Sequence, residues 1–248
     1  MKAVLIKVIV VVFAISVTIV ESWAEKEPKR SDGTVFKCAF DNDREVADWE
    51  KQGNGNFGVK DKALVFAQSD GDNAVDHPEY KLDNIDEYVL QGDFRIPEKA
   101  VIKTPFMIFG LLSDQDGGLN WRTNFKVSAD LGDQYTVGVQ DPAQVEFEPK
   151  LEKGKAYTAT IHIASKSEAH YFMFDGNKDP GTFLGTINIT SNHSHKVRIG
   201  NVFGAGSGEL VIDNLMLGKP IRGMLAVQSR SKLYAIWGKI KSSMGNSL

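Results

Sequence analysis

The 248-residue chain has one cysteine, Cys38, so no disulfide can close within it. The fold must be held by buried apolar surface, and a chain of this length is long enough to build one large core. Acidic residues are missing after Lys219, where six basic ones stand: Lys219, Arg222, Arg230, Lys232, Lys239 and Lys241. Glu25 to Gly218, in contrast, carries 21 basic and 31 acidic side chains. That balance excludes nucleic acid as a partner of the body, because phosphate binding depends on a basic surface. Long helical periods are also missing between residues 35 and 217, which excludes a sheet built from βαβ units.

A long apolar run occurs only at the start, where Met1 and Lys2 lead into Val8 to Val20, 13 residues, and then Ser22, Trp23 and Ala24. A span of the hydrocarbon core needs roughly 20 apolar residues. The shorter run, with small residues at −3 and −1 of a cut after Ala24, predicts a cleaved signal peptide over 1–24 and a secreted or extracytoplasmic protein, in a periplasm or at a cell surface. Residues 25–34 are polar, contain Pro28 and Gly33, and read as a flexible lead-in. The other end, 218–248, is a basic tail. Its Leu233, Ile236, Trp237 and Ile240 recur at helical spacing, flanked by Lys232, Lys239 and Lys241. A stripe of about 10 residues is too short for a stable lone helix, so it orders on contact with something. Two partners stay open: the acidic body itself, or anionic envelope material.

Between these segments, 35–217 consists of short β-branched and aromatic runs separated by Gly, Asp, Asn and Pro. Twelve are predicted as strands, among them Tyr88–Ile96, Pro105–Ser113, Trp121–Asp130, Gln134–Gln140, Lys155–Ser165, Ala169–Asp175 and Glu209–Leu217. Turn signals every 8–12 residues or so mark an all-β sandwich or barrel. In Tyr157-Thr158-Ala159-Thr160-Ile161-His162-Ile163 apolar and polar residues alternate, as in a strand with core on one face and solvent on the other.

Phe40-Asp41, Trp49 and Gly55-Asn56-Phe57-Gly58-Val59-Lys60-Asp61-Lys62-Ala63-Leu64 resemble the opening of bacterial secreted jelly rolls of the laminin-G-like and 3-keto-disaccharide hydrolase groups. Phe57 stands where those groups have Trp, and Lys62 where they have Gly. Gly208-Glu209-Leu210-Val211-Ile212-Asp213-Asn214-Leu215 resembles their closing strand. The resemblance implies a concanavalin A-like jelly-roll sandwich of two antiparallel sheets over 35–217. It does not specify function, because this superfold hosts lectins, hydrolases, lyases and adhesion modules. The strands that would carry the hydrolase chemistry are not found: Ile212-Asp213-Asn214-Leu215 replaces Phe-Arg-Asn-Ile. The carboxylate strand of family-sixteen glucanases is also missing. The nearest run, Glu146-Phe147-Glu148-Pro149, reads as a loop with solvated charges. Thr160-Ile161-His162 and Tyr171-Phe172 resemble the alginate-lyase strands only in part, since Thr160 stands where Gln is required.

A sugar site needs flat aromatic surface for a pyranose ring and planar polar groups for its hydroxyls. Simple alternation puts Trp121 and Thr123 on one side of a strand and Arg122 and Asn124 on the other. Tyr135, His162 and Tyr171 lie on strands able to neighbour it. Trp121, Arg122, Asn124, Tyr135, His162 and Tyr171 are therefore the candidate ligand-binding residues, against the plainer possibility that the aromatics are core. Asp114 and Asp116 offer oxygen ligands at alternate positions for calcium, although Asp114-x-Asp116-Gly117 completes no EF-hand loop and also suits a hairpin tip. No motif requires a cofactor. The expected function is a secreted, non-catalytic module binding a glycan or cell-surface polymer. The alternatives are a glycoside-acting enzyme on the same fold and a purely structural or adhesion protein.

Overall fold

The computed structural model describes residues 28–53, 56–68, 73–82, 86–102, 106–115, 118–129, 134–176, 181–190, 195–201 and 208–222. The expected signal peptide and the tail beyond Arg222 lie outside them. The strands run β1 (Lys29–Ser31), β2 (Phe36–Cys38), β3 (Glu50–Gly53), β4 (Asn56–Lys60), β5 (Ala63–Gln68), β6 (Asn73–Asp76), β7 (Tyr88–Arg95) and β8 (Phe106–Gln115). They continue with β9 (Gly118–Ala129), β10 (Tyr135–Val139), β11 (Val145–Leu151), β12 (Ala156–Ser165), β13 (Glu168–Phe174) and β14 (Thr182–Asn188). The last are β15 (Val197–Asn201), β16 (Gly208–Gly218) and β17 (Pro220–Arg222).

These strands make a jelly-roll sandwich of two antiparallel sheets. One has seven strands in the order β11-β10-β9-β8-β15-β6-β3, and the other follows β14-β13-β12-β7-β16-β5-β4, with β2 also on β16. Their inner faces share one core, in which Leu64, Phe66, Leu90, Phe109, Phe125 and Ile161 are fully buried. Truncating a phenylalanine there costs about 3–5 kcal/mol. The sheets approach closely at Gly92, where an added Cβ would lie 2.8 Å from the Phe109 ring. Only glycine lets that ring cross the interface.

Several of the residues behind the resemblance turn out to be structural. Phe40 packs edge-on against Trp49 with ring centroids 5.9 Å apart. Its backbone sits at φ 52°, a costly region for a non-glycine residue. What holds it is Glu45, whose carboxylate accepts the backbone N–H groups of Ala39, Phe40 and Asp41 at 2.8–2.9 Å. In the closing strand Ile212 and Leu215 are buried, and Asn214 takes φ 46° at a register shift between Asp213 and Met216.

Three expectations change. The supposed loop around Glu146 is β11, an edge strand of the seven-stranded sheet whose Phe147 and Leu151 are buried. Its Pro149 lacks the N–H of a central strand, and an edge tolerates that loss. The lead-in is not all loose. Lys29–Ser31 pairs with Pro220–Arg222, so the ladders extend past both 35 and 217. Finally, the outward side of β12 does not face solvent. Thr158, Thr160 and His162 are buried, because β1 crosses the outer face of the second sheet. The Ser31 N–H donates to Gln91 Oε1 at 3.1 Å there, and the Arg30 guanidinium lies 3.8 Å from the Phe174 ring centroid.

Candidate functional site

On the outer face of the seven-stranded sheet, polar and aromatic side chains stand in register. Asn124 on β9 lies opposite Gly110 on β8, Gly110 opposite Arg198 on β15, and Arg198 opposite Asp76 on β6. Gly110 keeps this row tight, since a Cβ there would lie 2.4 Å from the Thr123 carbonyl oxygen. Arg198 and Asp76 form a two-pronged ion pair, Nε to Oδ1 at 2.6 Å and Nη2 to Oδ2 at 2.8 Å. The same guanidinium lies 5.8 Å from the centroid of the Trp121 ring, which groups with Met107 and Leu112 apart from the main core. The indole N–H of Trp121 is shielded and has no hydrogen-bond partner.

The Asn124 amide is fixed from both ends. Its Oδ1 accepts the Gln140 N–H at 2.8 Å, and its Nδ2 donates to Asp141 Oδ2 at 3.4 Å. Lys126, one step along β9, is bound to Glu146 at 2.5 Å and donates to Gln140 Oε1 at 3.3 Å. Glu146 also accepts from Ser128 and Thr136. Burial raises the Asp141 carboxyl above its ordinary range, against the opposing pull of the Asn124 amide and Lys126. At the β3 end Lys196 reaches Glu50 at 2.7 Å.

Of the six expected ligand residues, only Trp121 and Asn124 are on this face. The register shifts between Leu111 and Leu112, so Thr123 opposes Leu111 while Trp121 opposes Leu112, and Arg122 is the extra residue of a bulge. The shift overturns the simple alternation: Trp121 joins Asn124, and Arg122 turns to the side of Thr123. Arg122 is then spent on structure, donating to the Thr190 carbonyl at 3.0 Å, the Lys166 carbonyl at 3.3 Å and the Tyr88 hydroxyl. Tyr135 and Tyr171 are core. The Tyr135 hydroxyl accepts the Ile102 N–H at 3.3 Å, and the Tyr171 hydroxyl is bonded to that of Thr123. Burial pushes the Tyr171 phenol far above its usual range.

His162 lies on the other sheet's outer face, with Nε2 2.6 Å from Glu87 and its ring 5.2 Å from that of His170. Burial lowers its pKa below 6.5, with Glu87 pulling the other way. Asp116 and the side chain of Asp114 lie outside the described residues. Among the described residues, no group of three or more His, Cys, Asp or Glu side chains is arranged to hold a metal ion.

Sequence reasoning missed Asp76, Lys126, Gln140, Asp141 and Arg198. Asp76 and Arg198 are 122 positions apart, so only the ladder joins them. It also missed a cleft of about 330 Å3 at one end of the second sheet, lined by Asp61, Lys62, Asp93, Arg95, Tyr157 and Asp213. Asp93 and Asp213 are cross-strand partners there. Both oxygens of Asp93 are occupied, one by the Thr158 hydroxyl and one by Asn214 Nδ2 at 2.9 Å. Asp213 is raised above the ordinary carboxylate range by burial, to which the charges of Asp93, Asp41 and Glu45 add.

No protein-family model and no curated protein matches this sequence. Its fold is similar to that of solved structures. An endo-β-1,4-glucuronan lyase from the fungus Trichoderma reesei is similar with a TM-score of 0.51 at 12% identity, over 77% of this chain and 96% of that one. The likeness is one of fold. A protein of unknown function with a galectin-like fold from Bacillus subtilis is similar at 10% identity and a TM-score of 0.48, over 79% of this chain and all of that one. At such identities the shared element is the sandwich alone, and the side chains of this chain must speak for its chemistry.

Proposed function

We propose that the protein is an exported, non-catalytic module that binds a glycan on the outer face of the seven-stranded sheet. The observation that carries this reading is the shielded indole N–H of Trp121, a donor without a partner beside a flat ring. Trp121 is 7% exposed and already packed with Met107 and Leu112, so what it lacks is an acceptor for the N–H, which a sugar hydroxyl supplies once it reaches the edge of the ring. Around them Asn124, Asp141, Lys126 and Arg198 are already fixed by protein partners. Little side-chain entropy would be lost on binding.

The test is a glycan-array screen of residues 25–248, with and without calcium, followed by titration of any hit against Trp121→Ala. Binding that weakens at least about tenfold in the variant supports the site. Failure to bind any glycan overturns the reading. Export and envelope contact by the basic tail belong to the same proposal. Removing 223–248, which spares β17, and fractionating cells tests the tail: unchanged surface retention removes it from the account.

A second reading, glycoside hydrolysis, is favoured by the Asp93–Asp213 pair. As cross-strand partners Asp93 and Asp213 sit side by side in the cleft, and burial raises the pKa of Asp213. Carboxyl groups of retaining glycosidases are about 5–5.5 Å apart, one with a raised pKa. Release of reducing sugar from a bound glycan, abolished by Asp213→Asn with binding retained, would establish that reading over the first.

A further inference from the structure

We infer that the glycan is uncharged, and that the outer face of the seven-stranded sheet selects neutral hexose chains over polyuronates. This rests on the reading of that face as the glycan site.

The argument is one of charge already committed. Recognition of a uronate carboxylate uses a cation, preferably a guanidinium presenting two N–H groups. Arg198 is the guanidinium of this face, and both of its prongs are held by Asp76. The side chains of that pair are 4% and 0% exposed, so the carboxylate is not one that water readily replaces. Lys126 is bound to Glu146 at 2.5 Å, and Lys196 to Glu50 at 2.7 Å. Lys150, on the edge strand β11, is engaged as well.

Carboxylates match the cations of this face in number. Asp76, Glu146 and Glu50 each hold one of those cations, and Asp141 is a fourth carboxylate bonded to an amide. A uronate placed over Trp121 would have to displace Asp76 from Arg198 or Glu146 from Lys126, and would bring its own charge toward Asp141. A neutral hexose needs no such displacement. Its hydroxyls meet the indole N–H and the half-buried carboxylate of Asp141, and the ion pairs stay closed. Sharing a fold with a glucuronan lyase therefore does not bring a charged ligand to this chain.

The experiment is a matched comparison by calorimetry on the protein covering 25–248. An array of neutral hexans is set beside the same chains oxidised at C6 to uronates, each at low and high salt. Neutral chains are expected to bind at least about tenfold more tightly than their oxidised counterparts. Their affinity should also change less than about twofold with salt, since no net charge is brought together. Glu146→Gln, at a half-exposed position, releases Lys126 and should raise uronate affinity relative to neutral affinity several-fold, about threefold or more. Equal or tighter binding of the oxidised chain by the unaltered protein overturns this inference and leaves the glycan site standing. Binding of neither, or neutral binding indifferent to Trp121→Ala, overturns both.

Discussion

Arg198 and Asp76 are directly opposed on β15 and β6, and their side chains close a two-pronged ion pair with distances of 2.6 and 2.8 Å. The pair is almost wholly shielded, so its value lies in keeping two desolvated charges together. Asp76→Ala leaves an uncompensated buried guanidinium and is expected to destabilise the fold by about 3–5 kcal/mol in urea unfolding. Replacing both residues with apolar side chains of similar volume should cost clearly less. A double variant as unstable as Asp76→Ala would show that the pair acts through something other than charge.

Between the sheets the Tyr171 and Thr123 hydroxyls bond to each other, and both residues are fully buried. Tyr171→Phe leaves the threonine hydroxyl without that partner and should cost about 1–3 kcal/mol. Adding Thr123→Val removes the orphaned group. A cycle of the four proteins is expected to give a coupling energy of about 0.5–3 kcal/mol, and additive effects would refute the contact.

His162 is held neutral in the folded chain by burial, while Glu87 stabilises its charged form and His170 and Lys29 oppose it. The folded pKa is lowered, so below the ordinary value of 6.5 the unfolded chain binds the proton first. Stability is thus present at higher pH and lost as pH falls through 6.5, levelling off below the folded pKa. His77 is shifted in the same direction, again chiefly by burial. The urea midpoint should fall between about pH 7.5 and about pH 5.5, and His162→Gln should reduce that fall. An unchanged fall would assign it to His77 or to the carboxyl groups.

Arg122 and Trp121 are adjacent in sequence and separate in role, and paired substitutions should display this. Arg122→Ala removes hydrogen bonds to Tyr88, Thr190 and Lys166 and is expected to lower stability by about 2–4 kcal/mol. Glycan affinity of the protein that remains folded should change little. Trp121→Ala should lose glycan affinity as well as stability, since truncating a buried tryptophan costs about 3–5 kcal/mol. Equal losses of both properties in both variants would contradict the division of faces.

Much of the sandwich was legible because its central strands obey the period of two: Tyr157, Ala159, Ile161 and Ile163 are core, as alternation predicts. Edges and bulges were not legible. Pro149 hid β11, since proline argues against a central strand and nothing local announces an edge. The face of Trp121 was misread because one unpaired residue, Arg122, reverses the alternation beyond it, and whether a strand carries an extra residue is settled by its neighbour. The ion pair of Asp76 and Arg198 and the cross-strand pair of Asp93 and Asp213 depend on register between distant segments. The motifs around Phe40 and Ile212 build the fold; of the candidate site, Trp121 and Asn124 were visible as residue types suited to a sugar, whereas Asp76, Lys126, Asp141 and Arg198 carry no local signature.

The ladder joining β1 to β17 gives the molecule a mechanical character. Lys29 faces Arg222 and Ser31 faces Pro220, so the chain enters and leaves the described strands side by side. Tension between the two ends runs across this ladder and opens it one pair at a time, as a zipper opens. Strands pulled along their length would instead share the load. A module held at one end and pulled at the other would release this short clasp first, lengthening its tether while the two large sheets stay closed.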